Sequence, residues 1–189
     1  DVYKRQGQER LFLSANASLP LIYLTEKNKP SPMVAPNFCM LLRKHLNSAR
    51  ILSITQPEME RIIQFEIEHL NELGDICTKY LIVEIMGKHS NIIFCNQDYT
   101  IIDSIKHISS MVSSVREVLP GRPYFIPKQQ EKKNPLTISE QDFMETVFSK
   151  NKPLAKAIYT SLTGFSPLMA NEVCCRASLD SEMPANSLS

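Results

Sequence analysis

The chain has 189 residues, of which 43% are hydrophobic and 22% are charged, and its formal net charge is +1 at pH 7. This balance is typical of a globular chain with one good core and room for a second small module, and it excludes a disordered, fibrous or polycationic protein. No apolar run reaches the roughly 18 residues of a membrane span, so no membrane partner is expected.

The five cysteines are an odd number without a C-x-x-C pair, which argues against a zinc site and against a disulfide scaffold. We therefore expect no metal and no other cofactor. Unpaired thiols suit a reducing compartment and no secretory signal is visible, so the expected location is the cytoplasm. Because the sequence does not begin with Met, the absence of a signal applies only to these 189 residues.

The first quarter of the chain predicts a strand pair followed by a helix. Alternating apolar residues on either side of a turn at 16–20 indicate two short strands within LFLSANASLPLIYLT. The stretch NFCMLLRKHL then places its apolar residues on one face. This spacing predicts an amphipathic helix that covers a core.

From Ala49 to Ile108 the pattern changes to a period of two residues. Five candidate strands rich in Ile, Val, Phe and Tyr are separated by short turns. Connections this short leave no room for crossover helices, so we expect an antiparallel meander or sandwich in an α+β domain. The candidate strands are ARILSITQ, RIIQFEIEHL, KYLIVEIM, NIIFC and YTIIDSI.

A proline-rich stretch, LPGRPYFIPKQQEKKNP, follows the predicted sheet. Its prolines and charged residues are typical of an extended linker, which we place at 120–136, between a domain at 10–119 and a helical module at 137–180. Ser139 is expected to cap the first helix of that module. The junction TGFSPLMA is expected to end one helix and to cap the next.

The chain contains no nucleotide-binding loop, nucleophile elbow, metal-ligand run or paired-carboxylate signature. We therefore predict no catalytic residue and no enzyme activity. The candidate chemistry is that of binding.

A polar turn, GKHSN, interrupts two apolar strands. At the end of a rigid sheet its side chains can meet phosphate or sugar oxygens, although turns select such residues for conformational reasons as well. Three further polar residues follow the next strand and share this end if the sheet is a simple meander. The candidate contacts are Lys88, His89, Ser90, Asn91, Lys106, His107 and Arg116.

Glu60 and Arg61 stand just before a predicted strand. One interpretation is a surface ion pair, which contributes little to stability. The other is a guanidinium oriented by the carboxylate and offered to a nucleic acid, which its planar fork suits. The residues by themselves favour the ion pair.

Several motifs follow one another along the chain: FCMLLRKHL, ERIIQFEI, NELGD, LIVEIMGKHSNIIF, IIDSIKHIS, VREVLPGRPY and GFSPLMANEV. In this order and spacing they resemble the NFACT proteins, a family also described as fibronectin-binding protein A-like. The resemblance covers about Arg10 to Asp180, and EIMGKHSNII, IKHIS and LPG are its most specific parts.

The resemblance implies a domain like the N-terminal sandwich of formamidopyrimidine-DNA glycosylases, followed by a partial helix-two-turn-helix module. It also implies a fragment, because family members open with a further strand and helix and continue into a coiled coil and an RNA-binding module. Residues 1–9 lie outside the resemblance.

For function, the resemblance implies ribosome-associated quality control. Family members bind large ribosomal subunits obstructed by peptidyl-tRNA and recruit tRNA, alanyl-tRNA in bacteria, to extend the nascent chain without mRNA. The expected partners are therefore tRNA and the large subunit with its rRNA and proteins, and no small-molecule substrate. An Asp-Arg pair tied to tRNA binding in the family falls at Glu60 and Arg61, where Glu is one methylene longer than the Asp of the family pattern.

Two alternatives remain open at this stage. The older family name suggests an extracellular fibronectin-binding adhesin, against which the missing signal and anchor speak. Fold similarity suggests a DNA-glycosylase-like DNA-binding protein, but fold does not carry activity and the cysteines give no support for a zinc finger.

Overall fold

The computed structural model describes residues 9–27, 30–127 and 132–188 and divides the chain into two compact units. The first unit contains the residues up to Pro57 together with Arg61–Pro127. The second contains Glu58–Glu60 and the residues from 128 onward. Among the residues described, no helix combines the length and the apolar character needed to cross a bilayer.

The first unit begins with a hairpin and a helix, as the apolar spacing predicts. Strands β1 (Arg10–Ser14) and β2 (Leu21–Thr25) pair antiparallel. Helix α1 (Asn37–Leu46) follows. The polar loop before α1 contains residues 28 and 29, which lie outside the described residues.

Five further strands form one antiparallel sheet in which each strand pairs with its neighbours along the chain. This arrangement confirms the predicted meander and the α+β class, and its cause is the shortness of the connections, which only hairpins can bridge. The strands are β3 (Arg50–Thr55), β4 (Ile62–Leu70), β5 (Ile76–Glu84), β6 (Asn91–Asn96) and β7 (Ile101–Ser104).

The central strands of this sheet are buried on both faces because each face has its own cover. The face that carries Phe65 packs against the β1–β2 hairpin and α1. The opposite face, which carries Ile82, packs against residues 108–126 through side chains such as Val118. Two covers explain why the four inner positions of β6, between Asn91 and Asn96, are all apolar instead of alternating.

The first half of the proline-rich stretch is part of this second cover and does not form a free linker. The backbone N–H of Gly121 donates to the carbonyl of Ile101, and that of Tyr124 donates to the carbonyl of Tyr99, both at 2.8 Å. Prolines lack the donor, but the residues between them keep theirs and pair with the edge of the sheet. Of the predicted linker, residues 128–131 lie outside the described residues.

The second unit is helical, with short elements around a small core that includes Val147, Leu154 and Ala170. Ser139 Oγ accepts from the N–H of Asp142 at 3.1 Å, and Ser166 Oγ accepts from that of Met169 at 3.2 Å, which confirms both caps. The elements are α2 (Glu140–Phe143), which continues as a π-helical turn (Met144–Phe148), α3 (Leu154–Ser161), α4 (Pro167–Arg176) and a final 3₁₀ turn (Ala185–Leu188).

Candidate nucleic-acid interface

Several cationic and polar side chains lie together at one end of the five-stranded sheet. Ile62 pairs with Glu84, and the N–H of Ile85 donates to the carbonyl of Arg61 at 2.8 Å, so the start of β4 adjoins the end of β5. The turn after β5 and the residues after β7 meet at the same end. We call this group the basic rim; it consists of Arg61, Lys88, His89, Lys106 and His107.

The turn at the centre of the basic rim is a 3₁₀ turn, Gly87–His89. Gly87 has φ +58°, a left-handed conformation that other residues adopt only at a cost. The hydroxyl of Ser90 closes the turn by accepting from the N–H of Met86 at 2.8 Å. This geometry leaves the side chains of Lys88 and His89 exposed to solvent.

Ser90 and Asn91 point inward, with exposures of 0% and 3%. Asn91 Oδ1 accepts from the N–H of Lys106 at 3.1 Å and from that of Ile92 at 2.9 Å, while its Nδ2 donates to the Lys106 carbonyl at 2.9 Å. These bonds satisfy backbone groups where the β6–β7 ladder ends, which buried backbone requires. Burial therefore removes both residues from the predicted contact surface, and their role here is to hold the turn.

Lys106 lies half-buried between two turns. Its Nζ donates to the carbonyl of Ala15 at 2.5 Å and to that of Ser90 at 2.8 Å, so it ties the hairpin turn to the 3₁₀ turn. An ammonium has three donors, and one is left for a solvent or phosphate oxygen. His107 is exposed, and its Nε2 lies 2.6 Å from Asp103 Oδ1.

Arg61 is the exposed arginine of the basic rim. Within the described ranges, its guanidinium has no hydrogen-bond or ion-pair partner, and the side chain is open to solvent. Glu60, its neighbour in sequence, is half-buried and belongs to the second unit. The positive charge of Arg61 is therefore available at the sheet end.

Arg116 has the opposite environment. Its side chain is 12% exposed, its Nη2 donates to both carboxylate oxygens of Glu84, and its Nη1 donates to the carbonyl of Phe125 at 2.8 Å. Tyr124 adds a hydroxyl donor to Glu84 Oε1 at 2.9 Å. We call Glu84, Arg116 and Tyr124 the buried triad. The prediction that Arg116 contacts RNA conflicts with this burial, because a buried carboxylate needs a cation and, among the residues that the structure describes, Arg116 forms the ion pair with Glu84.

The environment of the buried triad shifts the pKa of its members. Burial lowers the pKa of the Arg116 guanidinium, but the hydrogen bond and the charge of Glu84 outweigh burial, so the net pKa is raised. Burial raises the pKa of the Tyr124 hydroxyl, and the negative charge of Glu84 raises it further. At neutral pH Arg116 is thus charged and Tyr124 remains a neutral donor.

The nearby thiol of Cys95 is inert for the same reason. Burial raises the pKa of Cys95 to about 12, with the charges of Glu84 and Asp98 adding to the effect. A thiol with this pKa is protonated at neutral pH and is not a nucleophile. In the part of the chain that the structure describes, no three His, Cys, Asp or Glu side chains lie together as a metal site.

Glu84 is the residue that the sequence interpretation missed. It is 1% exposed, and it connects the sheet to the segment that covers it. The signal was present in YLIVEIM, where one carboxylate stands in an otherwise apolar run and must therefore have a partner. The sequence did not reveal that the partner is 32 residues away.

The fold and the basic rim define an α+β domain that presents cations at one end of a sheet. The sequence profile described as "NFACT N-terminal and middle domains" matches residues 1–189, and the chain belongs to this family.

The chain is also similar to longer curated proteins. It is 41% identical over 172 residues to the Rqc2 homolog RqcH of Bacillus subtilis, a match that covers 90% of this chain and 30% of that protein. It is 28% identical over 95 residues to the human ribosome quality control complex subunit NEMF, covering 50% of this chain and 8% of that protein. The family therefore has members in ribosome quality control, and the chain spans about a third of the length of its bacterial relatives.

Two solved structures share the fold. The N-terminal domain of the fibronectin-binding protein PavA from Streptococcus pneumoniae aligns with a TM-score of 0.80 at 35% identity, covering 93% of this chain and 65% of that one. The N-terminal part of the fibronectin/fibrinogen-binding protein from Streptococcus suis aligns with a TM-score of 0.81 at 32% identity, covering 98% and 69%.

Proposed function

We propose that this chain is an RNA-binding part of a cytoplasmic ribosome quality-control factor. In this proposal it contacts tRNA and the large ribosomal subunit after a stall and supports extension of the nascent chain without mRNA, with alanyl-tRNA in bacteria. The chain itself performs no catalysis and binds no cofactor, and the ribosome forms the peptide bond. Family membership and the basic rim support this proposal.

The observation that carries the proposal is the placement of Arg61, Lys88 and His89, all exposed, at one end of a rigid sheet. RNA is recognised through phosphates, 2′-hydroxyls and unpaired bases, which suit guanidinium, ammonium and imidazole groups. Because the whole chain has a net charge of only +1, the attraction has to be local. Ser90 and Asn91 fix the backbone of the turn that carries Lys88 and His89, which reduces the backbone entropy lost on binding.

The test is the affinity of the 189-residue chain for tRNA, measured by fluorescence anisotropy over a range of salt concentrations. We expect the affinity to fall steeply as salt rises, because bound phosphates release counterions. Arg61→Ala is expected to lower the salt slope by about one and to weaken binding by about 1–3 kcal/mol. Its melting temperature should stay within about 1–2 °C of the parent, as for other surface changes.

Arg50→Ala is the matched control. Arg50 is 73% exposed and pairs with Glu68, which lies seven residues from Arg61 along β4, about 23 Å away at the usual rise of a strand. The Arg50→Ala variant removes the same charge from the opposite end of the sheet, and its tRNA affinity should stay within about twofold of that of the parent chain. Equal losses from the two variants, or a flat salt profile, would contradict binding at the basic rim.

A second candidate function is attachment to fibronectin, because two solved structures of the same domain belong to proteins with that name. Surface plasmon resonance with immobilised fibronectin, with the same Arg61 and Arg50 variants, tests it. Saturable binding to fibronectin without any binding to tRNA would favour this function over ours.

A further inference from the structure

An open cleft lies in the first unit, on the face of the sheet covered by residues 108–126. Its volume is about 460 Å³, within the range of about 300–1,000 Å³ usual for ligand sites. Of the buried triad, Tyr124 is the member that lines it. Its other walls come from β3, β4, the turn after β6 and the end of the proline-rich stretch, including Thr55, Gln64, Tyr99 and Phe125.

The aromatic wall of this cleft is built from stacked rings. Tyr99 stacks on Tyr80 with ring centroids 4.6 Å apart and planes 13° from parallel, and it lies nearly parallel to Tyr124 at 6.4 Å. Phe125 lies beside them with 47% of its surface exposed. An exposed aromatic ring next to an ordered stack provides a platform for a flat ligand.

Gln64 supplies the carboxamide among the polar groups of the cleft. Its carboxamide and the Tyr99 hydroxyl hydrogen-bond, with Nε2 3.0 Å and Oε1 3.2 Å from the hydroxyl oxygen. A carboxamide has two N–H donors and two acceptor lone pairs, so at least one of each remains for a ligand. The Tyr99 hydroxyl occupies the edge on which the N–H and the carbonyl oxygen adjoin, so the remaining N–H or the remaining lone pair can form a single hydrogen bond with the edge of a nucleobase.

The remaining properties of the cleft concern charge and position. None of the described residues that line it is charged, which suits a neutral ring and not a phosphate. Gln64 follows Arg61 by three residues in an extended strand, about 10 Å along its axis. Because side chains three residues apart in an extended strand lie on opposite faces, an RNA held at Arg61 would reach the cleft with a different nucleotide from the one whose phosphate Arg61 contacts.

We propose that this cleft binds one unpaired nucleobase of the RNA, which stacks on Phe125 and is hydrogen-bonded at its edge by Gln64. This inference rests on the proposed function, since it names how the same protein would contact RNA. Aromatic grooves also bind proline-rich peptides, which lack a hydrogen-bonding base edge, and the experiment below distinguishes the two ligands.

The probe is a stem-loop RNA with 2-aminopurine at one unpaired loop position, titrated with the 189-residue chain. The loop position is varied, because stacking on an aromatic ring quenches this fluorophore only where the base enters the cleft. We expect quenching for at least one loop position and none for 2-aminopurine in the stem. Phe125→Ala should abolish the quenching and weaken binding by about 5- to 150-fold, the range that one stacked base contributes.

Two further variants separate stacking from edge recognition and from general effects. Gln64→Leu should keep the quenching but reduce the preference between unmodified loop bases at that position. Tyr23→Ala is the matched control, because Tyr23 is an aromatic residue with 46% exposure on the β1–β2 hairpin and not on the cleft. It should leave both quenching and affinity unchanged, and circular dichroism establishes that every variant is folded.

The outcomes are distinct. If the RNA binds and Arg61→Ala weakens it, but Phe125→Ala behaves like Tyr23→Ala, this inference is wrong and the proposed function stands. If the parent chain binds no RNA, both fail together. If a proline-rich peptide shifts the Gln64 side-chain amide resonance in a ¹⁵N spectrum and the RNA does not, the cleft is a peptide site and this inference is overturned.

Discussion

Arg61 and Arg116 are the same residue type within one structural unit, and both were candidates for RNA contact. Arg61 is open to solvent at the sheet end, whereas the side chain of Arg116 is 12% exposed and bound to Glu84 and to the carbonyl of Phe125. A guanidinium that already satisfies a buried carboxylate cannot leave it for a phosphate without a large cost. The comparison teaches that the chemistry of a residue type qualifies it for a site, while its burial decides whether it takes part.

The polar turn GKHSN also contains both exposed and buried polar side chains. Lys88 and His89 are exposed, while Ser90 and Asn91 are buried and bonded to the backbone. Two residues of the motif can therefore contact a partner, and the next two fix the geometry of the first two. Substitutions of the buried pair should therefore lower stability more than they lower binding.

The largest expected effect is that of Arg116→Met. Removing the cation leaves Glu84 buried without its charge partner, and losses of about 3–5 kcal/mol in the free energy of unfolding are typical for this change. Arg61→Met should change that free energy by no more than about 0.5 kcal/mol. Urea unfolding followed by circular dichroism measures both values.

A double variant sharpens this test. Glu84→Gln keeps an acceptor for the Tyr124 hydroxyl but removes the charge, so combined with Arg116→Met it should recover part of the lost stability. If Arg116→Met alone is as stable as the parent, the buried triad does not stabilise the unit and the contrast with Arg61 fails.

A smaller loss is expected for Asn91→Ala. It removes the side-chain acceptor of the N–H groups of Lys106 and Ile92, and a lost partner of this kind costs about 1–3 kcal/mol. Lys88→Ala, three residues earlier on the exposed part of the turn, should stay within about 0.5 kcal/mol of the parent in the same unfolding measurement.

For tRNA affinity the order of the two variants is reversed: Lys88→Ala should have the larger effect and Asn91→Ala the smaller one. At a temperature where both variants are folded, Lys88→Ala should lower tRNA affinity directly, whereas Asn91→Ala should act only as far as it disturbs the turn. A larger stability loss from Lys88→Ala than from Asn91→Ala would contradict the division of the turn into exposed and buried halves.

The smallest effect concerns His45, a half-buried side chain on α1. Burial lowers its pKa below the ordinary 6.5, and the charge of Lys79 and the ring of His69 act in the same direction. As the pH falls, the unfolded chain therefore takes up a proton at His45 before the folded chain does. The contribution of neutral His45 to the free energy of unfolding is thus fully present above about pH 6.5, and it is lost as the pH falls through the lowered pKa of the folded state.

His45→Gln removes this titration. Unfolding free energies at pH 7.5 and pH 5.5 should therefore differ less for the variant than for the parent chain. An equal or larger difference for the variant would show that His45 does not carry this part of the acid sensitivity.

The sequence by itself determined the elements of this protein and their order. The bounds of α1, the five-strand meander and the caps at Ser139 and Ser166 follow from apolar period, turn residues and short connections, all of which act between residues close together in the chain. The family resemblance, too, was legible in the motifs around GKHSN.

Tertiary structure decided which polar side chains remain available. Asn91 and Arg116 turn inward because their partners, Lys106 and Glu84, come from strands and loops that only folding brings near. The cleft beside Gln64 likewise needs β4, the turn after β6 and the proline-rich stretch to meet. Local pattern fixes the period and type of each element, but the direction of a polar side chain depends on long-range contacts that the pattern does not encode.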